Sequence, residues 1–311
     1  MQGRVSTGAG KAAGFVSSIS DLVVEELGFD PFPGTFNLTG SRVADEFPSK
    51  TFRDIEEAGD VCEGVQFFEC DVAGVHSAVI VPIIEGYPDD QIEILAPVSL
   101  RTVLDISDGD TIELTRRDDR CLSGGPTVTV DGLDSFDAVV FDLDQTLVDL
   151  EVDWDAVRAD LDDLLGSYVS GDLFASESDL GTVARDNDVY ESYLTILESA
   201  EVDGARHASP LTTLATLSEL SSPLGVCTKN SVVAAEIALE RFGVTDAVDV
   251  IVGRETLFEQ KPHPKPLELC VSELGVRPGD AVFIGDDQRD CTAATRAGMS
   301  YFHPERLEET P

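Results

Sequence analysis

Two aspartates stand two residues apart, directly after a short apolar run near the middle of this 311-residue chain. The run Ala138–Phe141 is apolar without alternation and too short for a helix, which predicts a buried parallel strand. Asp142 and Asp144 then lie at the carboxyl end of this strand, where open α/β sheets bind ligands. Like charges held this close repel unless a cation neutralises them or one carboxyl group is protonated. The pair therefore predicts a magnesium site, with one carboxylate as nucleophile and the other as proton donor.

An aspartate-rich loop in a very acidic protein would also contain such a pair, so the residues downstream decide between the two interpretations. Three more segments follow predicted strands, and they are Val226–Asn230, Lys261–Pro264 and Gly285–Asp290. Together with FDLDQT at 141–146, they resemble the four motifs of the haloacid dehalogenase-like (HAD) hydrolases, in the family's order. The resemblance implies an α/β Rossmann-like domain that uses Mg²⁺. Gln145 stands where a glycine is common in the first motif, a replacement that we expect to be tolerated.

The resemblance also implies roles for individual residues. Asp142 would attack phosphorus to give an aspartyl-phosphate, and Asp144 would protonate the leaving oxygen and then activate water. Thr228 would bind the phosphoryl group, and Lys261 would stabilise the negative charge. The implied metal ligands are the acidic residues of the first and last motifs: Asp142, Asp144, Asp286, Asp287 and Asp290.

A mostly helical pattern separates the first two motifs. It resembles the small helical cap of the HAD group that includes phosphoglycolate phosphatase, at about residues 149–210. Its first helix is predicted over Trp154–Tyr168 from apolar residues at helical spacing. Trp154 has two interpretations, since it either lines the substrate pocket of the cap or anchors the core.

The first third of the chain has a different pattern, with short β-like runs between frequent turns. The runs are Val65–Val72, His76–Ile84, Gln91–Leu95 and Thr111–Thr115. Little helix is predicted among them. This pattern favours a small closed or half-closed β-barrel.

Two segments of this region carry a second resemblance. GFDPFPGTFNL at 28–38 presents side-chain oxygens suited to a hydrated magnesium ion, and QIEILAPVSLRTVLDISDGDTIEL follows at 91–114. Together they resemble the archaeal CTP-dependent riboflavin kinases, a cradle-loop barrel family, over nearly all of residues 1–117. The resemblance implies transfer of the γ-phosphoryl group of CTP to riboflavin, which gives FMN, with Mg²⁺ as cofactor.

Within the barrel, the resemblance implies three sets of ligand contacts. Thr35 and Asn37 would bind magnesium, and Glu93 would contact the flavin. A flavin-contacting threonine is expected at position 85, where this chain places a further carboxylate, Glu85, in the flavin site. The implied nucleotide-binding residues lie in the early glycine-rich loop and before the Leu-Arg dipeptide: Gly8, Ala9, Gly10, Lys11, Ala12, Ala13, Val98, Ser99, Leu100 and Arg101.

Composition limits the location and the partners. The net charge is −39, yet 42% of residues are apolar, which is enough for folded cores. Without a basic stripe we expect neither nucleic-acid nor membrane partners, and without a transmembrane run or signal segment we expect a cytoplasmic protein. Such self-repulsion is screened at molar salt, where the Debye length is about 3 Å, so we predict a halophilic, salt-accumulating source. The resemblance to the archaeal kinases implies that this source is archaeal. Six scattered cysteines predict reduced thiols.

We therefore predict two domains with two activities. The barrel is expected over 1–118, a linker over 119–135 and the HAD domain over 136–311. The expected small-molecule substrates are riboflavin and CTP at the first site and a phosphomonoester at the second. That ester is FMN or a ribityl-pyrimidine phosphate of flavin synthesis, with a phosphoglycolate-type ester as the alternative. In a different hypothesis the barrel is a non-catalytic flavin or nucleotide sensor that regulates the phosphatase. The oligomeric state is left open.

Overall fold

Two sheets organise the chain, one in each half. The computed structural model describes residues 2–7, 12–40, 49–53, 64–84, 86–88, 90–116, 126–169, 173 and 180–308. Within these ranges, no helix has both the length and the apolar character needed to cross a membrane.

The first sheet is antiparallel and closes on itself. Its strands, in chain order, are β1 (Gln2–Ser6), β2 (Phe36–Thr39), β3 (Ser49–Arg53), β4 (Gly64–Val72), β5 (Val75–Pro82), β6 (Gln91–Leu95) and β7 (Thr111–Thr115). They are ordered β3-β4-β5-β6-β2-β1-β7, and an additional pairing of β4 with β7 closes the ring and leaves β3 outside it. The predicted small β-barrel is confirmed.

Along the barrel strands, buried apolar side chains alternate with more exposed ones, and the buried set fills the interior. In β7 the buried Ile112 and Leu114 alternate with more exposed residues, and in β2 Phe36 and Leu38 do the same. The helices of this domain are α1 (Ala12–Ser18), α2 (Ser20–Leu27) and α3 (Leu100–Val103). The apolar face of α2 packs on the outside of the barrel, where Val23 joins a buried cluster with strand residues of β4 and β5.

The second sheet is parallel and forms the centre of an α/β domain. The strands of this half, in chain order, are β8 (Val128–Thr129), β9 (Ala138–Phe141), β10 (Val148–Asp149), β11 (Ser209–Pro210), β12 (Leu224–Cys227), β13 (Val250–Val252), β14 (Ala281–Ile284), β15 (Ser300–Phe302) and β16 (Leu307–Glu308). Five of them form the sheet in the order β13-β12-β9-β14-β15. Every residue of β9, β12 and β14 is buried, as expected of central parallel strands.

Helices cover this sheet and form a separate cap. In chain order they are α4 (Val130–Leu133), α5 (Trp154–Leu165), α6 (Leu180–Asp186), α7 (Tyr190–His207), α8 (Val232–Arg241), α9 (Lys265–Glu273) and α10 (Gln288–Ala297). The cap helices α5, α6 and α7 lie between β10 and β11, two short strands that pair antiparallel. Leu161, Leu165 and Leu197 pack together inside the cap. The Rossmann-like fold with a helical cap is thus confirmed.

Part of the predicted linker over 119–135 lies within the described residues, and this part, residues 126–135, contains regular secondary structure. Val128 and Thr129 form β8, which pairs in parallel with β16, and both Val128 and Leu133 are fully buried. The Thr129 side chain accepts a backbone N–H as the N-cap of α4. The Gly, Ser and Asp content that suggested a linker is equally typical of caps and tight turns.

The cysteine prediction also needs a correction. Cys291 is disulfide-bonded, whereas Cys227 and Cys270 are buried free thiols. Disulfide formation depends on the distance between two Cα atoms in the fold, which spacing along the chain does not reveal.

The two domains are packed directly against each other. The tip of the β4–β5 hairpin of the barrel meets β15, an edge strand of the parallel sheet. The amide of Tyr301 donates to the carbonyl oxygen of Gly74 at 2.9 Å, and the amide of His76 donates to Ser300 Oγ at 3.1 Å. Buried side chains of both domains, Phe302 among them, belong to one apolar cluster.

Candidate active sites

The residues of the predicted HAD motifs lie at one edge of the parallel sheet. Asp142 follows β9, Thr228 follows β12, and Asp286 comes two residues after the end of β14. Since β12, β9 and β14 are parallel neighbours, their carboxyl ends adjoin. Lys261 reaches the same edge from the loop between β13 and α9. The four motifs are therefore brought together in space.

Lys261 is paired with two carboxylates at this edge. Its Nζ lies 3.0 Å from Asp142 Oδ1 and 2.7 Å from Asp290 Oδ1, and the residue is only 3% exposed. Burial by itself lowers the pKa of Lys261, but the two carboxylates outweigh it and raise the pKa above its usual value. Lys261 is therefore charged at neutral pH and holds Asp142 by an ion pair.

Asp142, Asp286 and Asp290 form a cluster of carboxylates that can hold a metal ion. One oxygen of each lies within 4.8 Å of the other two. Burial, followed by the Asp142 carboxylate, raises the pKa of Asp290 to about 6 although Lys261 opposes the change. Burial and the Asp290 carboxylate likewise raise the pKa of Asp286. These oxygens fit Mg²⁺, which prefers oxygen ligands and would relieve their mutual repulsion.

Gly285 allows this cluster to be compact. A Cβ at position 285 would lie 2.5 Å from Asp290 Oδ2, which is closer than real Cβ atoms approach. Its carbonyl oxygen accepts a hydrogen bond from Tyr301 Oη at 2.7 Å. The glycine of the last motif is therefore explained by close approach of the first turn of α10.

Two of the predicted metal ligands lie outside this three-carboxylate cluster. Asp144 Oδ1 accepts a hydrogen bond from the amide of Leu150 at 2.9 Å, and burial raises the pKa of Asp144 by more than this bond lowers it. Asp287 caps α10, and its Oδ2 accepts from Arg289 Nε at 2.8 Å. A carboxyl group with a raised pKa suits proton donation, while the ion-paired carboxylate of Asp287 suits the start of the helix.

Gln145 adopts the conformation that explains why glycine is common at this position. Its φ is 60°, in the left-handed region, which costs a residue with a side chain of order 1 kcal/mol. The Gln145 amide donates to the carbonyl oxygen of Val148 at 2.7 Å, and Nε2 donates to Asp149 Oδ1 at 2.6 Å. These two bonds offset the strain, so the expected tolerance has a structural basis.

Thr228 begins the loop that leads into α8. It is buried, and its Oγ1 donates to Asn230 Oδ1 at 2.7 Å and accepts from the Asn230 amide at 3.1 Å. Ser231 then caps the helix, whose N-terminus favours an anion. Burial and the neighbouring cations, Arg289 first among them, lower the pKa of Lys229. Because Lys229 forms no salt bridge with another described residue, its charge is available to a phosphate.

Sequence reasoning missed a buried ion pair beside this loop. Glu201 of α7 is fully buried, binds the Arg254 guanidinium through both of its oxygens, and accepts from the Ser231 amide at 2.9 Å. The Arg254 amide in turn donates to the carbonyl oxygen of Asn230 at 2.9 Å. The only signal in the sequence was a glutamate four residues after Leu197, on the apolar face of its helix. The pair connects the cap to the second motif.

A large chamber lies between the cap and the sheet, with a volume of about 930 Å³. Its aromatic lining consists of Trp154, Tyr190, Tyr193 and Phe258. Its basic lining consists of Arg158, Lys229, Arg254, Lys261, His263 and Arg289, against a single carboxylate, Glu259. Trp154 is 46% exposed, which excludes the core-anchor interpretation and favours the pocket. The chamber suits an anionic compound that carries an aromatic or apolar group.

In the barrel, part of the predicted nucleotide site surrounds one cavity of about 150 Å³. Its lining includes Thr35 together with Val98, Ser99, Leu100 and Arg101. Arg101 Nη2 donates to the carbonyl oxygen of Ser6 at 3.1 Å and pairs with Asp108 Oδ1 at 2.5 Å. A predicted magnesium ligand and a fixed guanidinium beside one cavity are suited to a polyphosphate.

A second cavity, of about 360 Å³, adjoins the first. The two share Phe32, Pro33 and Val98. The HAD domain contributes to the lining of the second cavity through Ser135 and Asp137, so this cavity lies between the domains.

Of the remaining residues predicted to bind ligands in the barrel, some are placed by the structure and others lie outside the described residues. Asn37 Nδ2 donates to the carbonyl oxygen of Thr35 at 2.9 Å, so the two predicted magnesium ligands are in contact. Asn37 also pairs across strands with Glu93, whose pKa burial raises by more than its hydrogen bonds lower it. Ala12 and Ala13 form the first residues of α1. The other predicted contacts lie outside the described residues: Gly8, Ala9, Gly10, Lys11 and Glu85.

Comparison with known proteins finds a different family in each half. The model described as haloacid dehalogenase-like hydrolase matches residues 179–303. The model of the CTP-dependent riboflavin kinase domain, described as domain of unknown function DUF120, matches residues 5–115. Both are families of enzymes.

Individual relatives show the same division. The riboflavin kinase of Pyrobaculum aerophilum is 36% identical over 121 residues, which cover 36% of this chain and 58% of the relative. The phosphoglycolate phosphatase of Xylella fastidiosa is 43% identical over 75 residues, which cover 24% of this chain and 33% of the relative. A solved HAD-superfamily hydrolase of Geobacter sulfurreducens is similar over 53% of this chain and 86% of its own, with 22% identity and a TM-score of 0.38.

The chain thus spans little more than half of the curated riboflavin kinase, and a third of the phosphatase. Each match falls in the half of the chain that carries the corresponding motifs. The protein therefore joins a domain of the CTP-dependent riboflavin kinase family to a domain of the haloacid dehalogenase-like hydrolase family.

Proposed function

We propose that this protein is bifunctional. Its first domain would transfer the γ-phosphoryl group of CTP to riboflavin, and its second would hydrolyse a phosphomonoester through an aspartyl-phosphate. The observation that carries the hydrolysis is the contact of Lys261 with Asp142 and Asp290, beside oxygens that fit Mg²⁺. The kinase activity is supported by the family match and by the cavity that Thr35 and Arg101 share.

In the proposed hydrolysis, a carboxylate oxygen of Asp142 forms a bond to phosphorus as the bond to the ester oxygen breaks. Asp144, whose pKa is raised, gives its proton to that leaving oxygen, and the alcohol departs. Asp144 then takes a proton from a water molecule, whose oxygen attacks the aspartyl-phosphate. Inorganic phosphate leaves and Asp142 is regenerated.

Other side chains stabilise the charge during these steps. Lys261 holds the carboxylate of Asp142, and Thr228 and Lys229 lie where they can bind phosphoryl oxygens at the start of α8. Asp142, Asp286 and Asp290 would hold Mg²⁺. When bound, the ion would neutralise charge on the phosphoryl group.

The chamber favours a substrate with a planar ring over phosphoglycolate. Its volume of about 930 Å³ is near the upper end of the roughly 300–1,000 Å³ typical of small-molecule pockets, which suits a ligand larger than a two-carbon phosphate ester. Trp154, Tyr190 and Phe258 offer ring surfaces for stacking. FMN and the ribityl-pyrimidine phosphates both place a ring at one end of a ribityl chain and a phosphate at the other. We place FMN first, because its isoalloxazine ring offers the larger area for stacking.

In the proposed kinase reaction, the riboflavin 5′-hydroxyl oxygen attacks the γ-phosphorus of CTP, and CDP leaves. Arg101 and the backbone around Ser99 would bind the phosphates, and Thr35 and Asn37 would hold Mg²⁺. We assign no general base.

One experiment tests both activities. The protein in molar KCl is incubated with riboflavin, CTP and Mg²⁺, and FMN is followed by chromatography in wild type and in Asp142→Asn. FMN that accumulates more in Asp142→Asn would identify it as the phosphatase substrate. Equal accumulation in both would support the kinase and direct the phosphatase to another ester, which is then sought by phosphate release from a panel that includes phosphoglycolate.

Glu85 keeps a second candidate function open for the barrel, because the resemblance implies a flavin-contacting threonine at this position, and a carboxylate in its place would disfavour a bound phosphate. In that case the barrel senses flavin or nucleotide without turnover. Absence of FMN from both proteins, combined with tight binding of riboflavin, would establish the sensor and refute the kinase.

A further inference from the structure

The barrel domain contacts three consecutive residues of β15. His76 binds Ser300 Oγ through its amide, as described above, and its Nδ1 lies 3.0 Å from the carbonyl oxygen of Gly298 just before the strand. The carbonyl oxygen of Gly74 accepts the Tyr301 amide at 2.9 Å. A Cβ at position 74 would lie 2.4 Å from the Tyr301 carbonyl oxygen and 2.8 Å from the Phe302 ring. The hairpin tip is thus packed against β15 without space between them.

β15 in turn holds the last HAD motif. The Tyr301 side chain is 5% exposed, and its hydroxyl donates to the carbonyl oxygen of Gly285 at 2.7 Å. The amide of Gly285 donates to the carbonyl oxygen of Phe302 at 3.3 Å. Both polar backbone groups of Gly285 are therefore bound by β15, and the next residue is Asp286 of the carboxylate cluster.

We infer that Tyr301 is a positioning residue for the metal-binding carboxylates, and that docking of the barrel hairpin on β15 keeps it in place. The path is short: the Gly74 carbonyl binds the Tyr301 backbone, and the Tyr301 hydroxyl binds the residue before Asp286. The barrel is then part of the phosphatase site's support as well as the carrier of a second site. This inference rests on the proposed phosphatase function.

The chemistry at Gly285 gives the size of the effect. In Tyr301→Phe the ring remains, but a buried carbonyl oxygen loses its hydrogen bond and the loop can shift to recover one. Metal-site geometry tolerates such shifts poorly, since loss of a supporting partner weakens metal binding. We expect about a three- to tenfold weaker metal affinity, with kcat at saturating Mg²⁺ within about twofold of wild type.

The test measures metal binding directly on the full chain. Mn²⁺ is titrated without nucleotide, and the free ion is followed by electron paramagnetic resonance. Asp286→Asn supplies the background from other carboxylates. Tyr168→Phe is the matched control, because Tyr168 is 48% exposed and its loss of a hydroxyl should leave Mn²⁺ binding unchanged.

The hairpin arm is tested with two variants of different severity. Gly74→Ala introduces the clash with β15, and Ser300→Ala removes only the acceptor of the His76 amide. Gly243→Ala is the control for Gly74→Ala, because Gly243 also has a positive φ, of 69°, but a Cβ there meets nothing within 4 Å. Both test variants should weaken Mn²⁺ binding at least threefold, and the control should not.

Each outcome has a distinct meaning. Wild-type Mn²⁺ affinity in Tyr301→Phe would refute the positioning role. If the Mn²⁺ affinity falls in Tyr301→Phe but stays at the wild-type value in Ser300→Ala and Gly74→Ala, only the contribution of the barrel is refuted. If Gly74→Ala fails to fold, the Mn²⁺ affinity of Ser300→Ala decides this point. Undiminished phosphate release by Asp142→Asn would instead refute the proposed phosphatase function.

Discussion

Replacing Lys261 by methionine would remove the charge at the centre of the HAD site while keeping a side chain of similar length. Asp142 and Asp290 would then face each other without the cation that separates them. We expect loss of both stability and hydrolysis, because the same ammonium group stabilises the folded site and the charge of the reaction.

The magnitude follows from the geometry. At an effective dielectric constant of about 20, unit charges at 3.0 Å and 2.7 Å attract by about 5.5 and 6 kcal/mol. The cost of removing these groups from water offsets part of this, and breaking a buried pair by deleting one partner costs about 3–5 kcal/mol. We therefore expect the free energy of unfolding of the HAD domain to fall by about 3–5 kcal/mol at pH 7.5 without Mg²⁺. The rate of phosphate release should fall by about 10²–10³ or more.

The assay uses Trp154, the only tryptophan of the chain, which lies in the cap of the HAD domain. Its fluorescence follows unfolding of this domain by denaturant in molar KCl, with and without Mg²⁺. The control is Lys265→Met, which removes the same charge from an exposed pair with Glu259 and should cost less than about 1 kcal/mol. Equal stability of the two variants, or hydrolysis by Lys261→Met within threefold of wild type, would refute the assigned role of Lys261.

Three further changes have expected outcomes. The pKa of Asp290 is raised to about 6, so the folded protein binds more protons than the unfolded chain between about pH 4 and 6. Without Mg²⁺, the free energy of unfolding should therefore fall by about 2–3 kcal/mol as the pH rises through this window. Denaturant unfolding at each pH measures this decrease, which should be smaller in Asp290→Asn. Trp154→Ala should raise the KM for FMN about tenfold, because about 1.4 kcal/mol of ring stacking is lost. The KM for phosphoglycolate should stay within twofold of wild type, and phosphate release measures both values. Arg101→Ala should raise the KM for CTP about tenfold or more with little effect on phosphate release by the HAD domain, as measured by FMN formation and phosphate assays in parallel.

The sequence predicted best what depends on neighbours along the chain. A continuous apolar run followed by carboxylates marks a central parallel strand and its ligand-binding end, and Asp142 after β9 has this arrangement. Alternating runs with frequent turns likewise predicted strands that the structure places at Gln91–Leu95 and Thr111–Thr115. The pattern of short strands with frequent turns also predicted a closed or half-closed barrel. No local feature, however, identified β4 and β7 as the two strands that close it.

What the sequence did not predict depends on residues far apart in the chain. Glu201 and Arg254 are separated by 53 positions, and each is an ordinary charged residue in its own segment. The hairpin tip at Gly74 meets Tyr301 more than two hundred residues later. Composition near Val128 was ambiguous, because caps and linkers draw on the same small polar residues. Such contacts are set by packing of complete elements, which no local pattern records.

The cation-lined chamber within a chain of net charge −39 has a consequence for how substrate is captured. A phosphate ester far from the surface is repelled by the protein as a whole, and it is attracted only once it is a few ångströms from Lys229. Salt shortens the Debye length from about 10 Å at 0.1 M to about 3 Å at 1 M, so it removes the distant repulsion and largely preserves the short-range contacts. Association should therefore become faster as KCl increases, opposite to the behaviour of enzymes that steer an oppositely charged substrate, and kcat/KM measured against KCl would rise accordingly.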